Sequence, residues 1–212
     1  MSASLRWRAL IVQIAVLLHF AGILAAALAA QWLVPGGIAA DWWGRAGLAL
    51  GASFWPQLFT GPLLATVFLV WLWRAYANLR GQGLSGLARS PGGAVGVWFI
   101  PIVNLVAPFA TMRELWNRSA GEDEYQSLTP VALVSSWWAC WIGGGLLVTI
   151  VFGTVLASFV RNVVVSTSES LLTLMLIMSQ LMWYGAVVQL ALLVHRITAM
   201  QQAERYSAAV FN

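Results

Sequence analysis

Residues 90–112 read SPGGAVGVWFIPIVNLVAPFATM, and the path of this stretch decides the fold. It carries no charged side chain over 23 residues (112 − 90 + 1), and about 20 apolar residues suffice for a helix to cross a bilayer. However, the stretch contains Pro101, Asn104 and Pro108. Each proline removes a backbone N–H donor and disfavours helix in the residue before it. A straight membrane-spanning helix is therefore disfavoured here.

The whole chain has the composition of an integral membrane protein. Of its 212 residues, 60% are hydrophobic and 18 are charged (11 basic plus 7 acidic), or 8%. Soluble domains carry about 25% charged residues, so this composition excludes a disordered chain and disfavours a water-soluble one. Four other apolar runs predict membrane-spanning helices at about 10–33, 55–77, 130–157 and 171–195. We therefore predict an all-α bundle of four transmembrane helices that forms a single domain over 1–212.

The arginines predict the orientation of the bundle, because cytoplasmic loops of membrane proteins are enriched in Arg and Lys. If 90–112 returns to the side it entered from, only Arg45 and Arg161 face outward, and nine face the cytoplasm: Arg6, Arg8, Arg74, Arg80, Arg89, Arg113, Arg118, Arg196 and Arg205. If it crosses, the split is six to five. We therefore predict a multi-pass membrane protein with both termini in the cytoplasm. Its connector, 78–129, would contain a re-entrant or interfacial segment at about 93–116.

The first predicted helix also resembles a signal peptide, with Arg6 and Arg8 before its apolar run. That run is about twenty residues long, whereas the apolar region of a signal peptide usually has about 7–15. We therefore expect the first helix to be retained as a span.

The connector resembles a bacterial membrane family catalogued as domain of unknown function four-three-two-eight. The resemblance rests on Trp98-Phe99-Ile100-Pro101, Asn104, Pro108 and the following MRELW, with Trp71, Trp73, Arg74 and Asn78 upstream. It covers most of the chain from the second span onward. It implies a four-span bacterial membrane protein and no particular activity.

A few polar side chains lie inside the predicted spans, where each needs a hydrogen-bond partner or a functional role. At about 1.5 Å per residue, Gln13 and Gln189 lie about 7–10 Å deep, and His19 and Tyr184 about 16–18 Å deep. Because the first and fourth spans run in opposite directions, we predict that Gln13 meets Gln189 and His19 meets Tyr184. Asn104, at the predicted turn, either contacts a ligand or ion or satisfies backbone groups freed by the prolines.

Several further side chains have predicted roles in packing or at the membrane surface. Glu114 and Arg118 have the i, i+4 spacing of a weak helix-stabilising ion pair. Small residues recur every fourth position from Gly145 to Ala157, and they pack either inside the bundle or against a partner. Trp71, Trp73, Trp98 and Trp116 are predicted anchors at the inner interface. The candidate contacts for anionic lipid headgroups are Arg74, Arg80, Arg89, Arg113 and Arg118.

The sequence contains no pattern typical of a catalytic, cofactor or metal site. Cys140 is the one cysteine, and the GxGxxG string at 81–86 lacks the strand and acidic residue of a dinucleotide site. We therefore expect a non-enzymatic accessory or scaffolding subunit. Its partners would be the lipid bilayer and another membrane protein or a second copy, and not nucleic acid.

Two alternative functions remain open from the sequence. One is a small transporter, channel or lipid-binding protein that uses the re-entrant segment around Asn104. The other is a haem or quinone redox protein, with His19 and His195 as haem ligands. Their unequal predicted depths in the membrane disfavour the haem interpretation.

Overall fold

The protein, described by a computed structural model over residues 2–33, 42–161 and 168–210, is built from helices, and these residues form no strand. The helices are α1 (Ser2–Leu33), α2 (Trp42–Gly81), α3 (Pro91–Gly96), α4 (Ala107–Ser119), α5 (Ala132–Arg161) and α6 (Glu169–Val210), with a 3-10 turn at Val103–Leu105. The all-α prediction is confirmed.

Four of the helices are long and apolar enough to cross a membrane, which confirms the predicted number of candidate spans and indicates a multi-pass membrane protein. The qualifying stretches are Ser4–Trp32, Gly47–Gly81, Ala132–Ser158 and Glu169–Ala203. The second begins well before residue 55, the predicted start, because α2 continues through Pro56 and Pro62. Beside Pro56, Gln57 Nε2 donates to the Ser53 carbonyl at 3.0 Å.

Contacts between residues divide the chain into two compact units. Unit 1 comprises Met1–Val16, Leu63–Trp138 and Val188–Asn212, and unit 2 comprises Leu17–Pro62 and Ala139–Val187. The four long helices contribute residues to both units, whereas α3 and α4 belong to unit 1 alone. That the chain forms a single membrane domain stays a prediction.

The proline-containing stretch is interrupted between residues 97 and 106, as predicted. The prolines begin helices: Pro91 opens α3 after the Ser90 N-cap, whose Oγ accepts from the Gly93 N–H at 2.9 Å, and Pro108 lies in the first turn of α4. Between the helices, Ile102 adopts a φ of 68°, which is rare for a β-branched residue. The helix–turn–helix course is the observed counterpart of the predicted 93–116 segment.

Candidate functional site

The most polar part of unit 1 is a buried network, here called the polar core, that joins α2, α4 and α6. Its central carboxyl belongs to Glu114, which is 2% exposed. Glu114 Oε2 lies 2.9 Å from the Tyr76 hydroxyl, and Glu114 Oε1 accepts from the Ala88 N–H at 2.6 Å. The same hydroxyl lies 2.9 Å from the Thr111 carbonyl. A carboxyl on α4 thus holds both α2 and the chain that follows it.

Gln201 of α6 makes the second set of connections in the polar core. Its Nε2 donates to Ser119 Oγ at 2.9 Å and to the Ala75 carbonyl at 3.2 Å. Its Oε1 accepts from Asn78 Nδ2 at 3.3 Å. Gln201 and Asn78 are both almost completely buried, so a single amide on α6 links α2 to the end of α4.

Asn117 and Arg118 complete the polar core by binding carbonyl groups of the connector. Asn117 Nδ2 lies 2.9–3.2 Å from the carbonyl oxygens of residues 126, 127 and 129. Arg118 donates from Nη1 to the Glu122 carbonyl and from Nη2 to the Ser85 carbonyl, both at 2.9 Å. These side chains tie down loops that would otherwise leave their carbonyls unsatisfied.

Two predictions about Arg118 are wrong. Glu114 and Arg118 do not form the expected ion pair. The Glu114 carboxylate bonds to Tyr76 and Ala88, and the Arg118 guanidinium bonds to two loop carbonyls. Arg118 is also only 5% exposed, so it is removed from the set of lipid-headgroup contacts. The sequence signal for this core was the spacing of Thr111, Glu114 and Arg118, which puts three polar side chains on one face of a helix.

An aromatic cluster of unit 1 lies beside the proline-containing stretch. Trp98 packs edge-on against Phe68, with ring centroids 5.4 Å apart, and lies 6.2 Å from both Trp137 and Trp138. Trp71 stacks on Phe68 at 5.9 Å and is fully buried. Trp71 is therefore a core residue, and its assignment as an interfacial anchor is wrong. Trp137 and Trp138 are also buried in this cluster.

The Asn104 amide does not bond to the backbone groups freed by the prolines, which was one of its two predicted roles. The Leu105 carbonyl accepts instead from Trp138 Nε1 at 3.1 Å. Asn104 is partly exposed, and its backbone N–H donates to the Ile100 carbonyl at 3.0 Å. Among the described residues, its side-chain amide has no hydrogen-bond partner.

The side chains that were predicted to pair, Gln13 with Gln189 and His19 with Tyr184, interact with other groups. Gln13 does reach α6, but its Nε2 donates to the Ala191 carbonyl at 2.8 Å. Gln189 accepts a short hydrogen bond from the Ser136 hydroxyl. In unit 2, His19 Nδ1 lies 2.7 Å from Thr60 Oγ1.

The partner predicted for His19 is therefore wrong, and the actual bond fixes its tautomer. Thr60 Oγ1 donates its one proton to the Pro56 carbonyl at 2.8 Å, so it must accept from a protonated His19 Nδ1. Tyr184, the predicted partner, packs edge-on against Phe20 with ring centroids 5.7 Å apart.

The other arginines of the headgroup set remain at the surface or partly so. Arg80 is exposed and Arg89 is partly exposed. Arg74 Nε donates to Ser4 Oγ at 3.2 Å, and the Arg113 guanidinium lies 5.0 Å from the centre of the Phe109 ring. These four arginines remain candidates for headgroup contact.

Unit 2 contains an open cleft of about 430 Å³ between residues of α2, α5 and α6. Aromatic and aliphatic side chains make most of its wall, including Phe54, Trp55 and Phe152. The amide of Gln180 and the hydroxyl of Thr173 are its main polar groups.

In 2–33, 42–161 and 168–210, no group of three or more His, Cys, Asp or Glu side chains could hold a metal ion. His19 is buried, and His195 is exposed on the part of α6 that belongs to unit 1.

Comparison with known proteins yields one match. A family model described as "Domain of unknown function (DUF4328)" matches residues 35–199, which is more than half of the chain. No curated protein and no solved structure matches the chain.

Proposed function

The chain belongs to the family described as Domain of unknown function (DUF4328), and from that premise we propose that it is a non-enzymatic accessory or scaffolding subunit of the bacterial cytoplasmic membrane. The observation that carries this proposal is the closed polar core. Glu114, Arg118 and Gln201, which could otherwise bind or transform a substrate, are each at least 95% buried (exposed fractions of 5% or less) and bonded within the protein. Such a network stabilises a scaffold and offers little to a substrate.

The proposed topology has both termini in the cytoplasm and a re-entrant segment on that side. Its support is the excess of nine arginines over two and the surface of the connector. The turn between α3 and α4 exposes several large apolar side chains, among them Phe99 (71% exposed), Ile102 (81%) and Val106 (67%). Apolar side chains at the tip of a hairpin are stabilised by hydrocarbon rather than by water.

Cysteine labelling in intact cells tests this topology. In a Cys140→Ala background, Glu122→Cys reports on the connector and Ser168→Cys on the chain before α6, and both native residues are exposed. An impermeant maleimide added from outside should label position 168 and leave position 122 unlabelled until the cells are opened. Labelling of position 122 from outside would contradict the proposed orientation.

The surface proposed to dock another membrane helix is the small-residue face of α5. A Cβ added at Gly145 or Gly153 meets nothing within 4 Å, whereas one at Gly144 lies 2.6 Å from the Trp183 ring. Gly144 thus packs inside unit 2, while Gly145, Thr149 and Gly153 face away from it. α5 is also the least buried candidate span, with 11% of its most apolar window inside the protein. Small residues at this spacing allow close contact between helices in a membrane.

Crosslinking in native membranes tests the docking face. In the Cys140→Ala background, Thr149→Cys labelled with a maleimide–benzophenone should form an adduct on illumination, because the benzophenone inserts into C–H bonds of any neighbour and needs no lysine, which this chain lacks. The control, Gly61→Cys, lies at an open position on α2 and should form none. An adduct of twice 23.0 kDa identifies a second copy, and any other defined mass identifies a different partner. Equal yields at positions 149 and 61 would refute docking through α5.

A substitution on the same face separates docking from folding. Gly153→Leu should abolish the Thr149→Cys adduct without lowering the melting temperature, because the added side chain enters open space. Loss of the adduct together with a lower melting temperature would assign Gly153 to folding and contradict its proposed role.

A further inference from the structure

The cleft of unit 2 has the size and the wall of a site for a small apolar molecule. Its volume of about 430 Å³ falls in the range of about 300–1,000 Å³ that is typical of small-molecule sites. Such sites are mainly apolar and contain a few placed polar groups that orient the ligand. Here the apolar wall includes the rings of Phe54 and Phe152, whose centroids are 6.4 Å apart.

The orienting group is the side-chain amide of Gln180, which is 93% buried (7% exposed) and lines the cleft. The hydrogen bonds around it determine which way the amide points. The Ser53 carbonyl can only accept, so Gln57 must present its NH₂ group there, at 3.0 Å. The same Nε2 donates to Gln180 Oε1 at 3.3 Å, which leaves the Gln180 NH₂ group without a partner among the described residues. This NH₂ group therefore faces the apolar cleft, where a donor needs an acceptor.

The depth of Gln180 restricts where that acceptor comes from. Gln180 is 11 residues (180 − 169) into α6, or about 16 Å along the helix axis, which is about half of the 30 Å hydrocarbon core of a bilayer. The ester and phosphate oxygens of phospholipids lie at the interface, and their acyl chains carry no acceptor. The ligand must therefore be a lipid-soluble molecule that takes its own oxygen into the membrane interior.

We propose that this cleft binds a lipid-soluble quinone. One carbonyl oxygen accepts a hydrogen bond from Gln180 Nε2, the flat ring packs against Phe54 and Phe152, and the hydrocarbon tail extends toward the bilayer past Trp55. Aromatic walls favour flat rings through offset or edge-on contact. This binding site is distinct from the docking face of α5 and goes beyond the proposed scaffolding function.

A matched pair of ligands tests the proposal on the purified full-length protein in detergent. Decyl-benzoquinone and decylbenzene each have a flat six-membered ring and the same tail, but only the quinone carries acceptor oxygens. Affinity is measured from the concentration dependence of the melting temperature, since a ligand stabilises the folded state in proportion to its occupancy. The quinone should bind about 2- to 12-fold more tightly than decylbenzene, the ratio that one net hydrogen bond provides.

Three variants separate the hydrogen bond from the cleft itself. Gln180→Leu should remove the preference for the quinone, whereas Gln126→Leu, in an exposed loop, should keep it. Gly51→Leu places a side chain in the open cleft and should weaken both ligands, with the fold retained because an added Cβ there meets nothing within 4 Å. Equal affinity of the two ligands for the wild type would refute the quinone assignment and indicate a groove for acyl chains. Quinone binding that survives Gly51→Leu would refute the location.

Discussion

The three-carbonyl contact of Asn117 predicts a specific loss of stability on substitution by leucine. The amide has two hydrogens and faces three carbonyl oxygens at 2.9, 3.0 and 3.2 Å, so it forms at most two full hydrogen bonds. Asn117→Leu keeps the number and branching of the side-chain heavy atoms and removes both donors. At a net contribution of about 0.5–1.5 kcal/mol per bond, the free energy of unfolding should fall by about 1–3 kcal/mol.

Thermal unfolding in detergent, followed by fluorescence, measures this loss. A change of 1 kcal/mol shifts the melting temperature of a chain of this size by about 2–4 °C, so the expected decrease is about 2–12 °C. Asn104→Leu is the matched control, because Asn104 lies in the same segment and its side chain has no hydrogen-bond partner among the described residues. Its melting temperature should stay within about 2 °C of wild type, since surface substitutions usually change stability by less than about 0.5 kcal/mol. If Asn117→Leu lowers the melting temperature no more than Asn104→Leu does, the reasoning about the connector carbonyls is wrong.

Two other predictions concern His19 and the connector glycines. A double-mutant cycle of His19→Leu and Thr60→Val, measured by unfolding in mixed detergent micelles, should give a coupling of about 0.6 kcal/mol and no more than about 1.7, and strict additivity would contradict the bond. Gly83→Ala and Gly86→Ala both place alanine at positive φ, 81° and 71°, which costs about 1–2 kcal/mol. The two variants should lose about the same stability, because an added Cβ at Gly86 meets only the carboxylate end of the exposed Glu124 side chain, which can move aside. A melting temperature equal to that of wild type in either variant would contradict this cost.

The four-helix architecture could be predicted from the sequence because its determinants are local. The scarcity of charge and the lengths of the apolar runs identified all four candidate spans. Pro101 and Pro108 predicted the interruption of the fifth apolar run, since a proline lacks a backbone donor wherever it lies. The start of α2 was misplaced because the helix begins at Trp42 and continues through Pro56 and Pro62.

The site depended on tertiary structure, because a polar side chain can be satisfied by any partner that the fold brings within about 3 Å. Glu114 and Arg118 had the spacing of a helix-surface pair, yet burial directs them to Tyr76, Ala88 and two loop carbonyls. The position of His19 along α1 was compatible with several neighbours, and the packing of α1 against α2 selected Thr60.

The sequence alone therefore determined how many helices are apolar enough to cross a membrane and where the connector breaks, since hydropathy and proline act through each residue's own backbone and surroundings. Only the tertiary structure decided which polar groups are buried inside unit 1. Among the residues that the structure describes, it also decided that the Gly145–Gly153 face of α5 is open and that the Gln180 NH₂ group, in the cleft, has no partner. Those properties depend on which helices become neighbours, and hydropathy along a single chain does not encode that choice.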